Sequence, residues 1–269
     1  MDRLNDSVIK KIAGKPFLFL FLDYDGTLTP IASGPSKAKL SPSVRSLLRE
    51  LKALRGIKVA IVSGRSLGNL KRYVRVPGLI YAGNHGFEVH GPGVSYIHPE
   101  ALTQKRLFSK LTGYFRKALS GYRGFFIEHK TFSISIHYRH VTSARLFRAA
   151  RRVLLKKLES LKHTPIALKG GKKVWEIRPT AQWHKGKTVL WLISHAGGAA
   201  RRPFPVYMGD DVTDEDAFSA IRKNGIGIKV IGQGKGRSHA QYFVRSSGEA
   251  ARFLSRLVSL RKDKKCSNV

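Results

Sequence analysis

The 269-residue sequence predicts an α/β fold: a Rossmann-like parallel-sheet core with an inserted α+β block. Two observations carry this. Toward both ends of the chain, short continuous apolar runs alternate with amphipathic stretches. That is the pattern of strands covered on both faces and joined by right-handed helical crossovers. Between about residues 99 and 180 the rhythm changes to helix, hairpin, helix, hairpin, the pattern of an antiparallel sheet with two helices on one face. The expected division is a core of residues 1–98 and 181–269 and an insertion of residues 99–180.

The first core strand is Phe17 to Leu22, six apolar residues in a row. The helix "SPSVRSLLRELKALRG" follows, with Ser41 as N-cap, Pro42 at its first position and Gly56 placed to end it. "IKVAIVSG" reads as a second buried strand, "SLGNLKRYV" as a short helix and "GLIYAGNHG" as a third strand ending in glycines. In the insertion, "LTQKRLFSKLTGYFRKALSG" and "SARLFRAARRVLLKKLESL" are helical. "GFFIEHK", "FSISIHYR" and the hairpin "PIALKGGKKVWEIRP" supply the strands. The core resumes with the helix "HKGKTVLWLISHAGG", the strand "FPVYMGDD", the helix "TDEDAFSAIRKNG", the strand "IGIKVI" and a closing helix, "GEAARFLSRLVSLRKDKK". "GQGKG", residues 232–236, reads as a flexible loop.

Composition narrows the setting. A single cysteine, Cys266, rules out an intramolecular disulfide and a cysteine-based zinc site, and points to a reducing, cytoplasmic compartment. The N-terminal residues lack a signal-type apolar segment, and "FLFLFL" is too short to span a bilayer, so membrane association is not expected. Against that, the formal net charge of +33 suits nucleic acid or an anionic membrane as partner, would also draw in an anionic substrate, and equally suits a solvated basic surface.

The acids are scarcer and more telling. Asp23, Asp25, Asp210, Asp211, Asp214, Glu215 and Asp216 account for seven of the 17, in two clusters that both follow apolar strands. Ligands of open α/β sheets bind at the carboxyl ends of the strands. Four such ends carry polar residues here: Asp23 and Asp25, Ser63, Asn84 and His85, and Asp210 and Asp211. Two carboxylates on one side of a strand tip repel each other, so a hard cation or a division into nucleophile and proton carrier is expected. Asp25-Gly26 also suits a plain turn, and Asp214 to Asp216 suit a helix start with Thr213 as N-cap. Ser63 offers a hydroxyl to a phosphate, and Lys185 opens a helix where it can neutralise phosphate and carboxylate together. "GKT" at residues 186–188 imitates a P-loop, but Ala181 stands where that motif requires glycine.

Taken together these residues resemble the haloacid dehalogenase-like phosphatases. "DYDGTLTP", Ser63 of "VSGR", Lys185 and "GDDVTDED" match their four motifs in order. Within that superfamily, "SGR", "GNHG", "EHKTFSISIHYR" and "EIRP" are most similar to the trehalose-6-phosphate phosphatase family; His184 departs from the expected Asn. The resemblance implies Asp23 as nucleophile and Asp25 as acid and base, with Ser63 and Lys185 holding the phosphoryl group. It further implies Mg²⁺ at Asp23, Asp25 (through its carbonyl) and Asp210, with Asp211 and Asp214 in support. It makes the insertion a cap that reads the sugar through Glu128, Lys130, Arg139 and Glu176, with Gly64, Arg65, Asn84 and His85 on the core side. Cross-strand ion pairing is the competing role for Glu128 and Glu176. Two alternatives remain open at this point: a phosphatase of another sugar phosphate, of sucrose phosphate or glucosyl-phosphoglycerate type, and a nucleic-acid-binding protein on the same fold. Oligomeric state is not legible, and a monomer is the default expectation.

Overall fold

A computed structural model describes residues 1–32, 37–171, 173–196, 202–232 and 237–266, the side chains of 196 and 264–266 excepted. Most of the "GQGKG" stretch and the Cys266 side chain lie outside the described part.

In chain order the elements are β1 (Asp2–Arg3), α1 (Asp6–Ala13), β2 (Leu18–Leu22), α2 (Pro42–Ala53), β3 (Ile57–Val62), α3 (Leu67–Val74), β4 (Ile80–Gly83), β5 (Glu88–Gly91) and β6 (Val94–Ile97). Then come α4 (Pro99–Ala118), β7 (Phe126–His129), β8 (Ile134–His137), α5 (Ala144–Glu159), β9 (Ile166–Gly171) and β10 (Val174–Pro179). The chain closes with α6 (Lys185–Ala196), β11 (Phe204–Gly209), α7 (Val212–Ile221), β12 (Ile226–Val230), β13 (Tyr242–Val244) and α8 (Ser247–Cys266). It divides into two units, residues 1–96 with 183–269 and residues 97–182.

The larger unit is α/β. Its sheet runs β1-β13-β12-β11-β2-β3-β4-β5-β6, parallel from β1 through β4, with β5 antiparallel to β4. Strand β2 lies at the centre, and all five of its residues are buried. Its side chains alternate between two cores. Leu18, Leu20 and Leu22 pack with α2 and α8 through Leu48, Leu51, Phe253 and Leu257. Phe19 and Phe21 pack with α6 and α7 through Val189, Leu192 and Phe218. Burial on both faces explains why β2 reads as an unbroken apolar run. From β2 the chain proceeds to β3 on one side, while β11 lies on the other. The boundary between β2 and β11 is therefore the switch point, where the strand tips part and leave a crevice.

The smaller unit is a four-stranded antiparallel sheet, β7-β8-β10-β9. Ile134 and Ile136 of β8 stand opposite Ile177 and Trp175 of β10. On that side they pack with Phe108, Leu111 and Phe115 of α4 and Ala150 and Leu154 of α5. Both helices thus cover one face.

Some local expectations change. Ser41 caps α2 by accepting from Val44 N, but the helix stops at Ala53. Gly56 serves the turn into β3 instead, at φ +76°. Asp211 rather than Thr213 caps α7, in a capping box with Asp214. Helix α1, capped by Asn5, and the strands β5, β6 and β13 are additional to the elements the sequence pattern singled out.

Candidate active site

Four adjacent strands, β11, β2, β3 and β4, point the same way, and each ends in a polar residue: Asp210, Asp23, Ser63 and Asn84 respectively. The parallel topology gathers at one sheet edge residues up to 187 positions apart in sequence.

Asp23 is buried, and its Oδ1 accepts from Lys185 Nζ at 2.8 Å. The same ammonium donates to Asp214 Oδ1 at 2.7 Å. Asp214 is buried and fully engaged. Its Oδ1 also accepts from the Tyr207 hydroxyl at 2.6 Å, and its Oδ2 accepts from the backbone N–H groups of Asp210 (3.0 Å) and Asp211 (2.9 Å). Asp214 thus holds Lys185 against Asp23 and fixes the turn that carries Asp210. Burial by itself would lower the Lys185 pKa, but Asp214 and Asp23 hold it above its usual range.

The acids respond oppositely. Burial raises the Asp23 carboxyl well above its normal value; Lys185 opposes this, while Asp214 and Asp210 add to it. Asp210 is pushed up to about 7, by burial first and then by the charge of Asp214. Burial, then Asp214, also raises Tyr207, which stays a hydroxyl donor. Oxygen atoms of Asp23, Asp210 and Asp214 lie within 4.8 Å of one another, against the one ammonium of Lys185. A clustered set of hard oxygen donors with excess negative charge fits a divalent cation such as Mg²⁺.

Two glycines make this packing possible. Gly26 has φ +83°, and a Cβ there would sit 2.1 Å from Asp210 Oδ2. A Cβ on Gly209 would lie 2.3 Å from Asp214 Cγ. The Asp25-Gly26 turn is therefore also the means by which Asp210 reaches the β2 tip.

Asp25 is held apart from the three clustered carboxylates. Arg65 grips it with two hydrogen bonds, Nε to Oδ2 at 2.7 Å and Nη2 to Oδ1 at 2.6 Å. The Arg65 guanidinium is buried between the rings of Tyr24 and Tyr73, 4.9 Å from each centroid, and donates to Asn69 Oδ1. Arg65, expected on the core side of the substrate site, holds Asp25 in this arrangement.

Ser63 is buried, and its Oγ accepts from Arg65 N. The His85 ring lies against Gly64, 2.8 Å from where a Cβ would stand. Asn84 and His85 both have left-handed backbones, and Asn84 Nδ2 donates to Glu88. Asp211 is exposed, and its carboxylate caps α7 at Val212 N, outside the cluster of Asp23, Asp210 and Asp214. His184 Nδ1 lies 3.6 Å from Asp216 Oδ2. In the "GKT" stretch Lys187 is exposed and the Thr188 hydroxyl bonds backbone carbonyls, so no phosphate cradle forms.

In the smaller unit, Lys130 pairs with Glu176 at 3.3 Å, and Glu128 with His137 at 3.0 Å, while Arg139 is exposed. Glu128 thus bonds a histidine of neighbouring β8, and Glu176 of β10 bonds the lysine that follows β7.

Tyr207 and Thr27, whose Oγ1 lies 3.4 Å from Asp210 Oδ1, join the site unannounced. Tyr207 left one legible signal: a tyrosine inside a buried strand needs a partner for its hydroxyl.

Comparison with known proteins agrees with this geometry. The trehalose-phosphatase family profile matches residues 21–248. A Mycobacterium tuberculosis (strain ATCC 25618 / H37Rv) protein described as trehalose-phosphate phosphatase is 34% identical over 242 residues, 88% of this chain and 60% of that protein. The chain thus spans about three fifths of the mycobacterial relative. The probable trehalose-phosphate phosphatase I of Arabidopsis thaliana is 33% identical over 267 residues, 94% of this chain and 70% of that protein. Among solved structures, the C-terminal domain of Candida albicans trehalose-6-phosphate phosphatase superposes with a TM-score of 0.76 at 22% identity, covering 96% of this chain and 98% of that one, a likeness of fold. No helix among the described residues is long and apolar enough to cross a membrane. On the extent of the profile match and the identity to these relatives, the chain belongs to the trehalose-phosphatase family.

Proposed function

We propose that the protein hydrolyses trehalose 6-phosphate to trehalose and phosphate through an aspartyl-phosphate on Asp23. The observation that carries this is Asp23 itself: a buried carboxylate at the tip of the central strand, bonded by Lys185 and flanked by Asp210.

Asp23 attacks phosphorus in line as the bond to the sugar oxygen breaks, and Asp25, entering in its acid form with one oxygen turned from Arg65 to the substrate, gives that oxygen its proton. Asp25, now a carboxylate, takes a proton from water. The resulting hydroxide attacks the phosphoryl group, releasing phosphate and restoring Asp23. Lys185 and Ser63 neutralise and orient the phosphoryl oxygens, as phosphoryl transfer demands positioning and charge stabilisation above all. Asp214, with both oxygens occupied, acts by placing Lys185. Asp23, Asp210 and the Asp25 carbonyl would hold Mg²⁺, which supplies further positive charge to the phosphoryl group when bound.

Residues 97–182 are proposed as the cap that sets sugar specificity, with Glu128, Lys130, Arg139 and Glu176 bonding sugar hydroxyls. A panel of trehalose, sucrose and glucosyl-glycerate phosphates, assayed for released phosphate with and without Mg²⁺, tests the reading. Trehalose 6-phosphate is expected to show the highest kcat/KM. Markedly faster turnover of another sugar phosphate would overturn the substrate assignment and leave the chemistry standing.

A further inference from the structure

The proposed hydrolysis draws on only a few of the chain's cations, and the net charge of +33 is least compensated in one unit. Residues 97–182 hold 19 Lys and Arg against 4 Asp and Glu. Three of those four acids already have partners inside the unit: Glu128 with His137, Glu176 with Lys130 and Glu159 with Lys162. In the larger unit, by contrast, acids on the surface are shared among cations, as Asp6 is between Lys10 and Arg256 and Glu249 between Arg3 and Arg252.

The uncompensated charge gathers on α5. Arg145, Arg148, Arg151, Arg152 and Lys156 are all exposed, and none forms an ion pair among the described residues. Their spacing puts Arg145, Arg148, Arg152 and Lys156 on one helical face, with Arg151 at its flank. From Arg145 to Lys156 the helix rises ~16 Å, about five phosphate steps of a strand stacked in helical form. Lys157 lies 4.9 Å over the ring of Tyr114, an exposed aromatic of α4. A membrane surface fits less well. A helix lying in a bilayer needs its apolar face free, and the apolar face of α5 is spent on the core through Phe147, Ala150, Leu154 and Leu158. Leu155 is the one large apolar side chain left exposed on the described part of α5.

The geometry points to the outer face of α5 as a binding surface for a single nucleic-acid strand, held through its phosphates without sequence preference. Like charge over the whole chain disfavours a second copy of the protein as occupant. The inference is independent of the phosphatase reading, because it is measured without turnover.

The test uses the full chain and a labelled uridine oligomer of about 20 nucleotides, long enough to span the face. Fluorescence anisotropy should show binding that weakens by roughly 100-fold between about 50 and 200 mM salt, as five phosphate contacts require. The triple variant Arg145→Gln, Arg148→Gln, Arg152→Gln should raise Kd by about 10-fold or more and flatten the salt dependence. A variant with equal charge loss in the other unit, Lys11→Gln, Arg49→Gln, Arg55→Gln, should change Kd by less than about 3-fold, and both should keep their melting temperature. Equal losses in the two variants, absence of binding at about 150 mM salt, or tighter binding to phosphatidylserine vesicles or to duplex DNA than to the oligomer would each overturn the assignment.

Discussion

Asp25 and Arg65 show most clearly what a single side chain decides. The Arg65 guanidinium is stacked between two tyrosines and grips both Asp25 oxygens. Arg65→Met is expected to lower kcat about 10-fold or more with KM little changed, because it frees the proton carrier from its position. A substrate-binding Arg65 would raise KM instead, so steady-state kinetics separates the two roles. Asp23→Asn should reduce turnover by about 10³-fold or more while the melting temperature holds. The carboxylates of the site were legible because acids are rare in this chain and follow apolar runs. The partners of Tyr207 and Arg65 were not, since they are neighbours that folding brings from elsewhere in the chain.

At the scale of the element, β2 and the turn after it carry the design. Its unbroken apolar run announced burial on both faces, and the alternation of leucines and phenylalanines into two cores bears that out. The turn holds Gly26 at a left-handed backbone against Asp210. Gly26→Ala should cost about 2 kcal/mol or more in a denaturant titration and remove most activity, because strain and displacement of Asp210 act together. Full activity in that variant would show that the close approach is dispensable. Helices with strong caps, such as α2 at Ser41, were legible. Short edge elements such as β13 and the β5–β6 pair were not, because their few residues carry little period and owe their pairing to the rest of the sheet.

For the whole molecule, the cluster of buried acids links stability to pH and to metal. Asp210 is raised from 3.8 to about 7 in the folded chain, so the folded state binds the proton more tightly than the unfolded state. The sign follows: without metal, this contribution is complete below about pH 4 and is lost as pH rises through about 7. Magnesium held by the ionised cluster, as proposed, would raise the melting temperature more at pH 8 than at pH 5.5. Equal shifts at both pH values would argue against Asp210 as a ligand. The uneven charge of the chain can be counted along the sequence, whereas its gathering on one face of α5 needed the helix to be seen.

The central claim is that Asp23 attacks the phosphorus of trehalose 6-phosphate. Its most direct measurement is rapid acid quench of the protein with ³²P-labelled trehalose 6-phosphate and Mg²⁺, followed by counting of protein-bound phosphate. The account requires label on the wild-type chain that is released by hydroxylamine, as an acyl phosphate is, and none on Asp23→Asn. Label retained on Asp23→Asn, or rapid turnover by that variant, would contradict it.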